Sequence, residues 1–165
     1  QTYFSDSATQ SPVYPKQIAF NVIPQCDIFL ENNFTKEEMK LVWETHKILD
    51  QNIQVQATCV RVPVFNGHSE AVFFKVDEEI SREGIMETLE NSPGIKVIDD
   101  PKEGLYPTPV ENASDTEDVY VGRIRSQKLD GESWITRWIV ADNVYGKGAA
   151  LNAVQICEEL LGINS

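Results

Sequence analysis

Apolar and polar positions alternate or recur along this chain in patterns that mark out most of its elements. "KQIAFNVIP", from Lys16 to Pro24, reads as a strand that stops at its proline. "NNFTKEEMKLVWETHKILDQN" has helical spacing, with Leu41, Trp43, Ile48 and Leu49 as its apolar contacts. Thr35 is placed to cap that helix, and Glu38, three residues on, to complete a capping box. "IQVQATCVRVPVF" is rich in β-branched residues, Asn66-Gly67 is a hairpin-type turn signal, and "SEAVFFKV" returns as a second strand. "REGIMETLENSPG" predicts a short helix closed by Pro93 and Gly94, and "IKVID" a brief strand. An irregular acidic loop follows from Asp99 to about Asp118. "VYVGRIR" and "SWITRWIVAD" read as strands paired across the polar "SQKLDGE", and "GKGAALNAVQICEELLG" as a helix with one wide apolar face.

The expected order is β-α-β-β-α-β-β-β-α without repeats. Hairpins outnumber βαβ units, so the pattern predicts an α+β domain with a mixed, mostly antiparallel sheet covered on one face by helices. Residues 1–15, polar and broken by two prolines, read as a linker or arm, and residues 16–165 as one domain. The 54–66 segment is apolar on both faces. Helices are expected on one of them and a partner subunit on the other, which makes a homodimer through the sheet face the expected assembly.

Composition narrows the function classes. A chain of 165 residues that is 41% hydrophobic and 24% charged is expected to be one soluble globular domain. A formal net charge of -12 argues against nucleic acid, whose phosphates demand clustered cations. No run approaches ~18 apolar residues, so no membrane span is expected. Cys26, Cys59 and Cys157 are far apart, no CxxC occurs, and the only histidines are His46 and His68, so no metal site is expected. The cysteines read as buried, reduced thiols, which suits a cytoplasmic protein, and the sequons at Asn33 and Asn112 as chance matches. The chain opens on Gln1 without a leader segment and reads as a piece of something longer.

Five polar residues call for a chemical account. Arg61 shares a strand face with Val55, Ala57 and Cys59 by alternation, and its permanent charge needs an anion. That anion is either an internal acid or a ligand carboxylate held in a bidentate fork. His68 follows the turn, either as a structural or surface histidine or as a group exchanging protons near neutral pH. Glu37 and Lys40 are helix-surface neighbours, either a plain i,i+3 ion pair or ligand contacts, since the capping box occupies Glu38 and leaves Glu37 free. His46 reads as an ordinary solvated residue. Asn143 precedes the glycines of "YGKGAALN" and either caps or touches a ligand. Those glycines lack the spacing of a phosphate-cradling loop and read as close helix packing.

Taken together, "FNVIPQCDIFLENNFTKEEMKLVWETHKIL", "CVRVPVFNGHSEAVFF", "DDP", "YPTP", "VYVGRIR" and "VADNVYGKGAALNAVQI" resemble the carboxy-terminal domain of bacterial aspartate-semialdehyde dehydrogenases. The resemblance runs from about Tyr14 to the end, in order. It implies a fold like the carboxy-terminal domain of glyceraldehyde-3-phosphate dehydrogenase and dimerisation through the sheet. It also implies NADP-dependent interconversion of L-aspartyl 4-phosphate and aspartate semialdehyde, toward lysine, threonine, methionine and diaminopimelate. By the matching motifs, Arg61 would hold the substrate carboxylate, Glu37 its amino group and Lys40 the phosphate. His68 would be the acid/base catalyst and Asn143 a cofactor contact. The family's NADP-binding domain and nucleophilic cysteine precede this region, and Cys26 stands where the family usually has an apolar residue. The piece alone is therefore expected to be inactive. The competing expectation is a non-catalytic acidic interaction or dimerisation module that kept the fold.

Overall fold

The computed structural model describes residues 13–163, and most of the expected arm over residues 1–15 lies outside them. The chain divides into two compact units, Gln1–Pro63 and Val64–Ser165.

The first unit is built around helix α1, Lys36–Ile48. Its start is the capping box read from the sequence: the Glu38 N–H donates to Thr35 Oγ1 at 3.3 Å, and the Thr35 N–H donates to Glu38 Oε2 at 2.7 Å. Two donors that a helix end leaves unpaired are thereby satisfied. Glu37 in the first turn and Lys47 in the last complement the helix dipole. His46 departs from the expectation of a solvated residue: it is half-buried, with Nε2 2.8 Å from the Ile53 carbonyl oxygen, and it ties the helix end to the turn that follows. Leu41, Trp43, Ile48 and Leu49, expected to supply apolar contacts, are all exposed.

The strands expected over 16–24 and 54–66 form no ladder. They meet at one antiparallel bridge, Ile23 with Arg61, closed by hydrogen bonds of 3.0 and 2.8 Å. On one side the next donor would be Pro63, which has no N–H, and on the other the Cys59 N–H is taken by Glu38 and the Gln25 N–H by the Ile23 carbonyl oxygen. The period-2 pattern survives all the same: Val55, Ala57 and Cys59 are half-buried while Gln54, Gln56, Thr58 and Val60 are exposed.

The second unit contains a four-stranded sheet of β1 (His68–Val76), β2 (Ile95–Val97), β3 (Val119–Leu129) and β4 (Glu132–Ala141), in the order β1-β4-β3-β2. β1 runs antiparallel to β4 from His68 opposite Ala141 to Val76 opposite Ser133, β3 is antiparallel to β4, and β2 is parallel to β3. The Asn66-Gly67 hairpin is therefore not formed. Phe74 and Val76 bury themselves beside Ile135 and Ile139 of a strand far along the chain, and that packing overrides the local turn signal. At Asp130-Gly131 the same kind of signal does turn a hairpin, with φ of 50° and 82° as a two-residue turn requires. The ladder runs through "SQKL" to Leu129 opposite Glu132, so this stretch is strand where a loop was expected.

Helix α2, Arg82–Glu90, is capped by Ser81 and packs Ile85 and Leu89 on Val121, Ile124 and Ile135. Each such side chain contributes about 1.5–3 kcal/mol when fully buried. β3 bulges between Gly122 and Arg125, with Arg123 at φ 53°. Arg82 and the buried Asp99 brace the bulge: Asp99 Oδ2 accepts from the Ile124 N–H at 2.8 Å and lies 2.9 Å from Arg82 Nη2. Within the 99–118 loop, Pro109–Ala113 forms a single wide helical turn capped by Thr108. The last helix, α3 (Ala150–Leu161), starts later than the glycines suggested and buries none of its residues, Val154, Ile156 and Leu160 among them. The result is the expected α+β fold with a mixed, mostly antiparallel sheet. The 107–113 segment packs on one end of its second face, where the Trp138 Nε1–H donates to the Pro107 carbonyl oxygen at 3.0 Å; toward the other end Phe73, half exposed, stacks on Trp134 at 4.6 Å between ring centroids. All three cysteines are free. Cys26 and Cys59 are half-buried, but Cys157 is exposed, contrary to the expectation for it.

Candidate functional site

In the first unit, Glu37 and Lys40 project from the opening turns of α1 and bind each other, with Lys40 Nζ 3.1 Å from Glu37 Oε2 and 3.3 Å from Oε1. Both side chains remain about two-fifths accessible, so the pair is open to a further ligand. The hydrogen bond and charge of Glu37 raise the Lys40 pKa above its ordinary value and keep the ammonium protonated.

Arg61 is exposed, and its guanidinium stands over the Tyr14 ring at 5.5 Å. Among the described residues no carboxylate forms an ion pair with it, so the internal salt bridge open to it in sequence is not made. Cys26 reports on what surrounds it. Burial raises the pKa of that thiol, the Arg61 charge opposes the rise, and the Glu37 and Glu38 carboxylates add to it. Arg61 and Glu37 thus act on one and the same group.

Glu38 explains how they are brought there. One of its oxygens closes the capping box; the other, Oε1, accepts the Cys59 N–H at 2.9 Å. A single carboxylate therefore ties the segment carrying Arg61 to the turn carrying Glu37 and Lys40. These backbone donors, Thr35 first and then Cys59, hold the Glu38 pKa below its ordinary value. The cap was legible from Thr35 and Glu38, but the reach to Cys59 has no local signature.

In the second unit, His68 opens β1 opposite Ala141, with its side chain exposed. The preceding Gly67 N–H donates to Asn143 Oδ1 at 2.8 Å, which brings two sequence candidates, His68 and Asn143, into adjoining turns. Between Ala141 and Asn143 lies Asp142, which sequence reasoning did not single out. Its fully buried carboxylate accepts N–H bonds at Oδ1 from Val144 (2.7 Å), Tyr145 (2.7 Å) and Gly146 (2.9 Å), and at Oδ2 from Asp115 (3.0 Å). The Gly146 and Val144 bonds lead the effects that bring its pKa to about 2.

Asp142→Ala is expected to cost about 2–4 kcal/mol, because it leaves several buried N–H donors unpaired. The pH dependence has a definite sign. The folded-state pKa lies below the ordinary 3.8, so the stabilisation is complete above about pH 4 and fades as pH falls toward about 2. Denaturant melts of the wild type and Asp142→Asn should therefore converge over that window. A constant gap between them would show that the charge is not what stabilises the loop.

A cavity of about 450 Å³ lies in the second unit, lined by Tyr106, Pro107, Arg123, Arg125 and Trp138 among others, and none of the five sequence candidates borders it. Among the described residues, no three potential metal donors cluster, and no helix is long and apolar enough to cross a membrane.

Residues 2–145 match the family described as semialdehyde dehydrogenase, dimerisation domain. The chain belongs to this family. Aspartate-semialdehyde dehydrogenase of Shewanella violacea is 51% identical to it over 153 residues, 92% of this chain and 44% of that protein. The crystal structure of aspartate semialdehyde dehydrogenase II from Vibrio cholerae, complexed with ASA, superposes with a TM-score of 0.85 at 48% identity, over 92% of this chain and 44% of that one. The aspartate semialdehyde dehydrogenase of Candida albicans, solved with NADP, superposes with a TM-score of 0.61 at 26% identity, over 81% of this chain and 42% of its own. The chain thus spans less than half the length of these relatives and corresponds to their carboxy-terminal part. In the second unit the four-stranded mixed sheet carries His68 at the head of β1, with Asn143 just past the end of β4, while Glu37, Lys40 and Arg61 belong to the first unit.

Proposed function

We propose that this chain is the substrate-binding and dimerisation part of an NADP-dependent aspartate-semialdehyde dehydrogenase. The reaction links L-aspartyl 4-phosphate, NADPH, and L-aspartate 4-semialdehyde with phosphate, on the route to lysine, threonine, methionine and diaminopimelate in the cytoplasm. The observation that carries this reading is the Arg61 guanidinium, exposed and without an ion pair among the described residues, on a segment that the Glu38–Cys59 hydrogen bond ties to the turn carrying Glu37 and Lys40. A fork for one carboxylate and a counter-charge for one ammonium are what an amino acid requires. Lys40, kept protonated, supplies the charge for phosphate. His68 manages the proton as a thiol attacks the carbonyl and as the thiohemiacetal forms.

The nicotinamide cofactor supplies the hydride, and most of its binding belongs to residues outside this chain, which contains no G-x-G-x-x-G. Asn143 suits one polar contact to it: its Nδ2 has no hydrogen bond among the described residues, while Oδ1 is occupied. The nucleophilic cysteine likewise comes from outside, so the isolated chain is inactive. The half-exposed Phe73, stacked on Trp134 at the end of the second sheet face that residues 107–113 leave uncovered, supports homodimerisation through that face.

The full-length protein, given aspartate semialdehyde, phosphate and NADP, is expected to produce NADPH, read at 340 nm, while the isolated chain produces none. The second reading, a non-catalytic acidic dimerisation module, predicts an inert full-length protein that still dimerises. The assay separates the two, and sedimentation beside it shows whether an inert protein is still assembled.

A further inference from the structure

We infer that Asn143 is a positioning residue for the proposed acid/base histidine: its carbonyl oxygen holds the Gly67 N–H and so fixes the turn from which His68 enters β1. The inference rests on the functional reading above and adds to it, because a role as a cofactor contact alone makes no use of this bond.

The geometry is over-determined around one residue. Before Asn143, Ala141 is locked in the ladder opposite His68. After it, Val144, Tyr145 and Gly146 donate to the buried Asp142 carboxylate, so the backbone carrying Asn143 is pinned on both sides. From that base the side chain reaches a residue 76 positions earlier at 2.8 Å. Gly67 has little freedom to answer in any other way. Its φ of 106° lies where side chains are strained, and a Cβ there would come within 3.0 Å of Pro109 Cβ. The orientation of the amide is also defined: the Gly67 group is a donor, so the atom facing it is the carbonyl oxygen, and Nδ2 is turned away to donate elsewhere. A proton-transfer group displaced by about 1 Å can lose about 10²-fold in rate, so the bond matters to chemistry without touching the substrate.

The two atoms of the amide separate positioning from cofactor contact. Asn143→Ala removes both, whereas Asn143→Asp keeps an oxygen for Gly67 and loses the Nδ2 donor. In the full-length protein, Asn143→Ala is expected to lower kcat about tenfold or more and to move the pH–rate profile, whereas Asn143→Asp is expected to recover kcat and the profile while its KM for NADPH rises with the lost Nδ2 contact. On the chain itself, amide exchange at Gly67 should quicken about tenfold in the alanine variant and return toward wild type in the aspartate variant, with melts confirming that both fold. An alanine variant with unchanged kcat and pH profile overturns the inference. So does an aspartate variant whose kcat stays as low as that of the alanine variant. His68→Asn serves as the separate control: if it leaves kcat unchanged, the functional reading fails, while Gly67 exchange still reports whether the bond exists.

Discussion

Replacing His68 with asparagine in the full-length protein is expected to lower kcat by about 10²–10⁴-fold, the contribution typical of a positioned general acid/base. Stability should hardly move, by about 0.5 kcal/mol at most, because the side chain is exposed. Asparagine keeps a similar size and one polar edge, so the change removes proton exchange without opening a hole. Steady-state kinetics and a thermal melt on the same preparation check both halves. A kcat within twofold of wild type would remove His68 from the chemistry. A large loss of stability would instead return it to a structural role, the alternative that the sequence left open.

The second large effect concerns Arg61. Arg61→Ala is expected to cost roughly 2–5 kcal/mol in kcat/KM, with KM for the semialdehyde rising, as for any carboxylate left without its fork in a desolvated site. The folded protein should tolerate the change, because among the described residues the guanidinium makes no ion pair. Its known contact is the face of the Tyr14 ring, and its backbone bridge to Ile23 does not depend on the side chain. Arg61→Lys should recover only part of the loss, since an ammonium cannot reproduce the planar, two-pronged geometry. Full recovery by lysine would mean that charge alone is read there, and unchanged kinetics in the alanine variant would mean that Arg61 binds nothing.

The contrast between two Asx-Gly pairs shows where local reasoning holds and where it fails. Asp130-Gly131 turns a hairpin because the strands on either side are each other's best partners. Asn66-Gly67 carries the same signal and turns none, because β1 finds the apolar residues of β4 instead. Gly67 still needs its positive φ, but for the turn into His68. The α1 cap, the α2 helix and the alternation of Val55, Ala57 and Cys59 were all legible, since each depends on neighbours within a few residues. The exposure of Leu41, Trp43, Ile48 and Leu49 was not legible, because an apolar stripe does not say what will cover it.

By itself the sequence determined the short-range features: which stretches cap, turn and alternate, which side chains carry charge, and which family the motifs resemble. Tertiary structure alone decided that Glu38 would reach Cys59, that Asp142 would gather backbone donors from two segments, and that Asn143 would hold Gly67. The physical reason is distance along the chain. A cap or a pleat is written within about four residues, whereas these bonds join positions 21, 27 and 76 apart and exist only after the packing has brought them together.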